Sequence, residues 1–271
     1  MAAGQGALNG PHRRKDIFGM TRNPFKTALR ERRKLPGFWL SLCSPTVTEI
    51  ASQSGADWLL VDMEHSPGDL SQISDHLRAA TGGGAEVVVR PPFSEPVMVK
   101  RLLDIGVRNL MFPMIQTAED AQQAVSWTRY PPRGIRGISA TVRANRYARQ
   151  KDYLQTYTED MTIILQVETP QVVASIPGIA EVEGVDAIFI GPGDLAASMG
   201  HAGNVSAPEV RAKIVEAVSL IHEAGLPAGI LGYGEETARG YFETDGIEFV
   251  AIAGDAWLLA RHMDRMVSAF K

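Results

Sequence analysis

Two stretches of this chain end an apolar run in a carboxylate. Val185 to Leu195, VDAIFIGPGDL, is small and apolar up to a Gly-Pro-Gly turn and then presents Asp194. The run lacks alternation and is too short for a core helix, so it reads as a strand buried on both faces, with Asp194 at the carboxyl edge of a sheet. ILQVETP delivers Gln166 and Glu168 in the same way, VDMEHSP ends in Asp62, Glu64 and His65, and EVVVR ends in Arg90. Two carboxylates with a glutamine and a histidine nearby suit a hard divalent cation such as Mg2+ or Mn2+, which takes oxygen ligands and keeps positions for water and substrate. Zinc fits that set less well. A glycosidase carboxylate pair is a second use, but it leaves Arg90 and His65 without a part.

Each residue also has an ordinary use. Asp194 could cap a helical turn over Ala196 to Met199. His65 could cap the loop before Ser66-Pro67, and Arg90 could pair with a surface acid at about 0–1 kcal/mol. Stability does not explain why all of them fall at strand ends, where desolvating charge is costly. His76, His201, His222 and His262 fall on predicted helices or a loop and read as structural.

The elements that must position these groups alternate. Asn23-Pro24 starts a helix that runs to about Lys34. Predicted strands cover Gly37–Cys43, Trp58–Met63, Glu86–Arg90, Asn109–Ile115, Thr162–Val167, Val185–Ile190, Pro227–Leu231 and Glu248–Ala253. Predicted helices follow over Thr46–Ser54, Leu70–Thr81, Glu95–Ile105, Ala118–Tyr130, Gln171–Ile179, Pro208–Ala224, Glu235–Thr244 and Trp257–Phe270. Ser94 is read as the cap of the Glu95 helix, with Gly106 closing it. YPPRGIRG breaks the rhythm and opens an insertion that lasts to Asp160. Eight strand-helix units after one leading helix predict a single-domain α/β (β/α)8 barrel over 23–271, whose carboxyl ends converge on one mouth. An open doubly wound sheet is the alternative, but the first strand lacks a GxGxxG turn.

Composition narrows the function classes. The chain has 271 residues, 45% hydrophobic and 21% charged, with a net charge of −4, so neither nucleic acid nor an anionic membrane is an expected partner. No apolar run reaches a membrane span. Cys43 is the only cysteine and reads as a small buried hydrophobe in a strand, which fits a cytoplasmic protein without disulfides. Residues 1–22 read as a flexible tail without a secretory segment.

Taken together, VDMEHSP, VVVRPP, LLDIGVRNLMFPM, RYPPRGIRG, ILQVETP and FIGPGDL resemble, in order and spacing, the HpcH/HpaI aldolases, the class II pyruvate aldolases that include 4-hydroxy-2-oxoheptanedioate and 2-keto-3-deoxy-sugar-acid aldolases. The resemblance runs from about Phe38 to the last helix. It implies a divalent metal, Mg2+ or Mn2+ with Co2+ as another choice, held by Glu168 and Asp194, with Gln166 beside substrate and water. It makes His65 the proton-transfer residue, Arg90 the binder of the keto-acid oxygen, and Asp104 the acid that raises the histidine's basicity. Asp62 joins them on the rim. Gly193 would offer backbone to the substrate, and Trp39 and Leu231 would line the pocket. The implied reaction is reversible cleavage of a 4-hydroxy-2-oxo acid to pyruvate and an aldehyde. No lysine imine is needed, since Lys100, Lys151 and Lys213 avoid the strand ends. The alternatives are a decarboxylase of an oxaloacetate-type diacid and a non-catalytic keto-acid-binding barrel. The resemblance, and the apolar residues Trp257, Leu258, Leu259, Met263 and Met266 on the last helix, lead to an expected homo-oligomer, a hexamer.

Overall fold

The structure, a computed structural model, describes residues 23–271. The expected tail over 1–22 lies outside the described residues. Eight parallel strands close into a barrel in the order β1 to β8, with each strand paired to its sequence neighbours and β8 paired to β1. The strands are β1 Leu35–Leu40, β2 Trp58–Asp62, β3 Glu86–Arg90, β4 Asn109–Phe112, β5 Thr162–Val167, β6 Ala187–Ile190, β7 Ala228–Leu231 and β8 Phe249–Gly254. The helices up to the insertion are α1 Pro24–Arg30, α2 Pro45–Ser52, α3 Leu70–Ala79, α4 Pro96–Asp104 and α5 Ala118–Thr128. The remainder are α6 Tyr153–Thr156, α7 Pro170–Ala180, α8 Pro192–Ser198, α9 Pro208–Glu223, α10 Glu235–Glu243 and α11 Asp255–Ser268.

Continuous Val, Ile and Leu runs form these strands because both faces are buried, one against the helices and one inside the barrel. The inner face packs Leu35, Trp58, Leu60, Ile164, Phe189 and Phe249. Trp58 and Phe249 need room, and glycines supply it. A Cβ on Gly37 would lie 2.4 Å from the Trp58 ring, and one on Gly229 would lie 2.3 Å from Phe249. The amino end is closed by α1, whose Phe25, Ala28 and Leu29 join the inner cluster. Asn23 caps α1 through Lys26 N and also donates from Nδ2 to Asn109 Oδ1 at 2.6 Å and Thr162 Oγ1 at 3.1 Å, so the plug is tied to β4 and β5. Lys26 pairs with Asp186 at 3.0 Å. The leading helix is therefore part of the barrel core.

Several boundaries differ from expectation. β1 starts at Leu35 and ends at Leu40, so Cys43 lies beyond the strand, half-buried, with φ of 52°. β4 stops at Phe112, ahead of Pro113, which has no N–H to donate, and of Met114 with φ of 59°. Glu95, not Ser94, caps α4 by accepting from Met98 N at 2.7 Å, while Ser94 Oγ donates to Pro113 O. Arg32, with φ of 53°, lies in the turn after α1, which ends at Arg30 rather than Lys34.

Candidate active site

The carboxyl ends of β2 and β3 make one corner of the mouth. Asp62 and Arg90 are register partners on these neighbouring strands. Arg90 Nε donates to Asp62 Oδ1 at 2.8 Å and Nη2 to Oδ2 at 2.7 Å, a two-bond fork. The third nitrogen, Nη1, lies 2.7 Å from Glu64 Oε2 and 3.4 Å from Gln166 Oε1. Trp39, at the end of β1, places its ring 4.6 Å beneath the guanidinium and donates its indole N–H to Asp62 at 3.1 Å. Arg90 is only 4% exposed, so this cation is a buried and fully engaged group. Burial alone would push the Asp62 carboxyl up, but the bonds and charge of Arg90, with Glu64 N–H and Trp39, hold it below its ordinary value. Glu64 moves the other way: burial raises it, against the pull of Arg90.

The second corner is built by β5 and β6. Gln166 and Glu168 leave β5 two residues apart, so they share a side of the strand's end, and Gln166 Nε2 donates to Glu168 Oε2 at 2.8 Å. Glu168 Oε1 accepts from Met114 N at 2.9 Å. Gly191 makes space for both: a Cβ there would lie 2.9 Å from Gln166 Nε2 and from Glu168 Oε2. The chain then turns into α8 with Asp194 in its first turn, exposed at the mouth. The anticipated short helix exists, but Gly191 occupies its N-cap position and the Asp194 side chain makes no capping bond. Burial pushes the Glu168 carboxyl up, resisted by the Met114 N–H and reinforced by the Asp194 charge.

Charge decides what this corner suits. Asp62, Glu64, Glu168 and Asp194 bring four carboxylates to the rim against one buried cation, Arg90, which is spent on Asp62 and Glu64. Glu168 and Asp194 are left facing each other's charge without a cation partner among the described residues. Among the described residues no three of His, Cys, Asp and Glu gather into a metal cage. The donor set is thus two carboxylates with an amide beside them, the kind of set that holds a hard divalent cation whose other positions go to water and substrate. Glu168, Asp194 and Gln166 fit such an ion.

His65 stands in the loop after β2, 69% exposed along its side chain, with Nε2 3.9 Å from Glu64 Oε2. Leu231 ends β7 and packs against the inner cluster that contains Trp39. Gly193 is exposed in the first turn of α8 with open space where a Cβ would point. Asp104 is not at this mouth. It ends α4, at the amino side of the barrel, and accepts from Arg136 Nη2 at 2.9 Å. Within one chain the carboxylate beside His65 is Glu64. Three further groups escaped the site assignment: Glu64 as the partner of Arg90, the Met114 N–H, and Tyr233, whose hydroxyl is pushed up by burial and by Asp255 and Asp62. Glu64 had a signal, since it stands beside His65 at a strand end. Met114 had none, because a backbone donor does not depend on residue type. The four histidines read as structural lie elsewhere, His76 for one bound through Nδ1 to Thr48 Oγ1 at 2.6 Å.

Comparison with known proteins agrees with this architecture. The chain is 45% identical over 249 residues, 92% of its length and 95% of the relative's, to a 4-hydroxy-2-oxo-heptane-1,7-dioate aldolase of Shigella sonnei. A crystal structure of an HpcH/HpaI aldolase/citrate lyase family protein from Burkholderia cenocepacia superposes with a TM-score of 0.88 at 39% identity, covering 92% of this chain and 99% of that one. An HpcH/HpaI aldolase from Desulfitobacterium hafniense gives 0.83 at 28% identity, covering 91% and 96%. The family profile of the HpcH/HpaI aldolases and citrate lyases matches residues 35–261. With its closed parallel barrel and the acidic, arginine-anchored mouth, this chain is a member of the HpcH/HpaI aldolase/citrate lyase family, an enzyme of the aldolase type.

Proposed function

We propose that this enzyme cleaves a 4-hydroxy-2-oxo acid to pyruvate and an aldehyde, with 4-hydroxy-2-oxoheptanedioate, the compound named in the Shigella relative, as the first candidate. Breaking the C3–C4 bond of that skeleton gives pyruvate and succinic semialdehyde. The observation that carries the reading is the pairing of an uncompensated carboxylate couple, Glu168 and Asp194, with a locked arginine at the same mouth. Glu168 and Asp194 would hold a divalent cation, and the chemistry it would supply is Lewis-acid polarisation of the substrate's 2-oxo group. Arg90, fixed by Asp62 on two nitrogens, offers Nη1 to the keto oxygen as negative charge develops there. Glu64 must yield that nitrogen when substrate enters. A donor already held in place needs no reorganisation during reaction, which is the condition for stabilising a developing oxyanion. His65, exposed at the rim, moves the proton of the 4-hydroxyl to solvent as the bond breaks, and the enolate left behind takes a proton at C3 from solvent to give pyruvate. Trp39 and Leu231 form the apolar wall, and the Gly193 backbone contacts the acid. Within one chain the carboxylate beside His65 is Glu64, 3.9 Å from its Nε2, and Asp104 pairs with Arg136.

The metal is read as Mg2+ or Mn2+, with Co2+ as a substitute. We read the protein as cytoplasmic, a reading that the lone cysteine supports, and no helix among the described residues is long and apolar enough to cross a membrane. A homo-oligomer, a hexamer by resemblance, is supported by α11. Only Asp255 of that helix is buried, while Leu258, Leu259, Met263, Met266 and Val267 are exposed. Beside it lies a groove of about 410 Å3 lined by Phe38, Leu40, Val47 and Ile50. Such an apolar face on a helix that barely touches its own barrel fits a neighbouring copy.

The test is release of pyruvate from racemic 4-hydroxy-2-oxoheptanedioate by the Mn2+-loaded protein, coupled to lactate dehydrogenase, against a panel of acceptors in the reverse direction from glycolaldehyde to succinic semialdehyde. Decarboxylation of oxaloacetate faster than any aldol cleavage would select the decarboxylase reading instead.

A further inference from the structure

The segment 129–161 between α5 and β5 is far longer than the roughly 2–6 residues that usually join helix to strand in α/β units. It takes no part in the mouth. It folds beneath the amino ends of β4 and β5 and, with the end of α4, encloses a cavity of about 590 Å3. That size falls within the range of small-molecule sites, about 300–1,000 Å3. The wall carries Arg108, Arg143, Arg146 and Arg149, with Tyr147 and Tyr153. Arg108 is satisfied by Glu86, to which it donates at 2.6 and 3.1 Å. The other three guanidiniums have no carboxylate within 4.0 Å among the described residues. Arg143 Nη1 donates to Ile105 O at 3.0 Å and Arg149 Nη1 to Arg146 O at 3.1 Å, so most of their donors have no partner among the described residues. The acid in the wall is Asp160, which accepts from Asn23 N. Among the described residues, three cations without a carboxylate partner stand against one acid, a local sign opposite to the chain's net charge of −4. Burial, and then the charge of Arg78, push Arg143 below its ordinary pKa, as expected of a cation without a counter-ion.

The backbone is bent to make this arrangement. Arg146, Tyr147 and Ala148 take φ of 54°, 57° and 67°, three successive left-handed residues of which none is glycine. That conformation is disfavoured for each of them, and it persists because Asn145 over-determines it. Asn145 is buried, accepts from Val142 N and Ala148 N, and donates to Ala140 O at 2.9 Å. Gly106, at φ of 96°, ends α4 and also clears a path, since a Cβ there would lie 2.7 Å from Arg143 Nη1. Packing alone does not call for three strained residues that set arginines around a void.

We propose that this cavity is a binding site for a small phosphate-bearing molecule, seated on Arg143, Arg146 and Arg149 with its organic part against Tyr147 and Tyr153. Planar guanidiniums match phosphate oxygens in paired bonds, and three of them suit a dianion better than a single carboxylate. The site lies at the opposite end of the barrel from the mouth of the same chain. Isothermal titration calorimetry of the full chain with sn-glycerol 3-phosphate, with inorganic phosphate and with succinate tests it, in about 150 mM KCl so that diffuse attraction is screened. Saturable binding of glycerol 3-phosphate is expected, weakened at least about tenfold in Arg146→Ala/Arg149→Ala, as loss of charge-assisted bonds requires. Both arginines are exposed, so the melting temperature of the double variant should match the parent and the loss cannot be ascribed to unfolding. No saturable heat up to about 10 mM ligand, or equal affinity in the double variant, would overturn the site. Succinate binding as tightly as glycerol 3-phosphate would overturn the phosphate assignment.

Discussion

Asp62 and Arg90 face each other across neighbouring strands in direct register, joined by two hydrogen bonds of 2.7 and 2.8 Å in a buried pocket floored by Trp39. An arginine so held is a fixed part of the barrel rim. Its orientation is set before substrate arrives, and only Nη1 points onward to Glu64 and Gln166.

Asp62→Asn should therefore cost both structure and chemistry. Removing the Asp62 charge breaks the two-bond fork and leaves the buried Arg90 with Glu64 as its one carboxylate partner, at up to about 3–5 kcal/mol. The pairing also has a pH signature. The folded pKa of Asp62 lies below its ordinary 3.8, so the stability it contributes is present above that value and is lost as pH falls through the folded pKa. Urea midpoints for parent and Asp62→Asn should differ at neutral pH, begin to approach each other near pH 3.8 and converge only below the lower folded pKa. A constant difference across that range would show that the ion pair contributes nothing.

Arg90→Lys should reduce kcat by about 100-fold, since lysine cannot hold Asp62 with two nitrogens and present a third in a fixed place. A solvated arginine would leave the melting temperature unchanged. This one is buried, so the variant should also melt several degrees lower, by about 1–3 kcal/mol of lost charged hydrogen bonds. Exchange of the pyruvate methyl protons, followed by NMR without aldehyde, isolates the step. Parent-like exchange in Arg90→Lys would remove Arg90 from the chemistry.

The barrel and most of its strands were legible because a strand buried on both faces leaves an unbroken apolar run, and eight such runs leave little choice of topology. The rim residues were legible as polar endings of those runs. What joins them was not. The Asp62–Arg90 register depends on how β2 and β3 stagger, and the Met114 N–H reaches Glu168 only because β4 stops at Pro113. Cys43 continued an apolar pattern, yet the strand had ended three residues earlier. Asp104, a site residue by resemblance, ends α4 and within its own chain accepts from Arg136 away from this mouth, a placement that its sequence context did not show.

Divalent metal should stabilise the fold as well as switch on activity. Ionised Glu168 and Asp194 repel, so Mn2+ or Mg2+ should raise the melting temperature, and EDTA should lower it and abolish pyruvate release. Glu168→Gln keeps the acceptor for Met114 N–H while removing one charge. It should melt higher than the metal-free parent and show no further rise with Mn2+. A parent-sized metal shift in Glu168→Gln would place the ion elsewhere.

Leu259→Asp/Met263→Asp tests the assembly. Both side chains are exposed on α11, so a monomer would tolerate charge there with a change within about 0.5 kcal/mol. If that face meets another copy, light scattering should show the parent as an oligomer and the variant as a smaller species. A monomeric parent at micromolar concentration would remove the oligomer from the proposal.

Gly191→Ala separates position from charge at the second corner. The backbone at Gly191 has φ of −87° and ψ of 90°, which alanine can adopt, so the substitution carries no left-handed strain. Its Cβ would instead press on Gln166 Nε2 and Glu168 Oε2 at 2.9 Å, closer than real contacts allow. Glu168 cannot retreat freely, because Met114 N–H holds its other oxygen. Displacing the pair should weaken metal binding and lower kcat, by up to about 100-fold, the loss that a misplacement of about 1 Å can bring. The metal-free protein should melt within a few degrees of the parent, since the moved groups sit at the rim and not in the apolar core. Mn2+ titration followed by the rise in melting temperature reads the effect without relying on turnover. Unchanged metal affinity in Gly191→Ala would mean that Glu168 and Gln166 do not depend on the space Gly191 leaves.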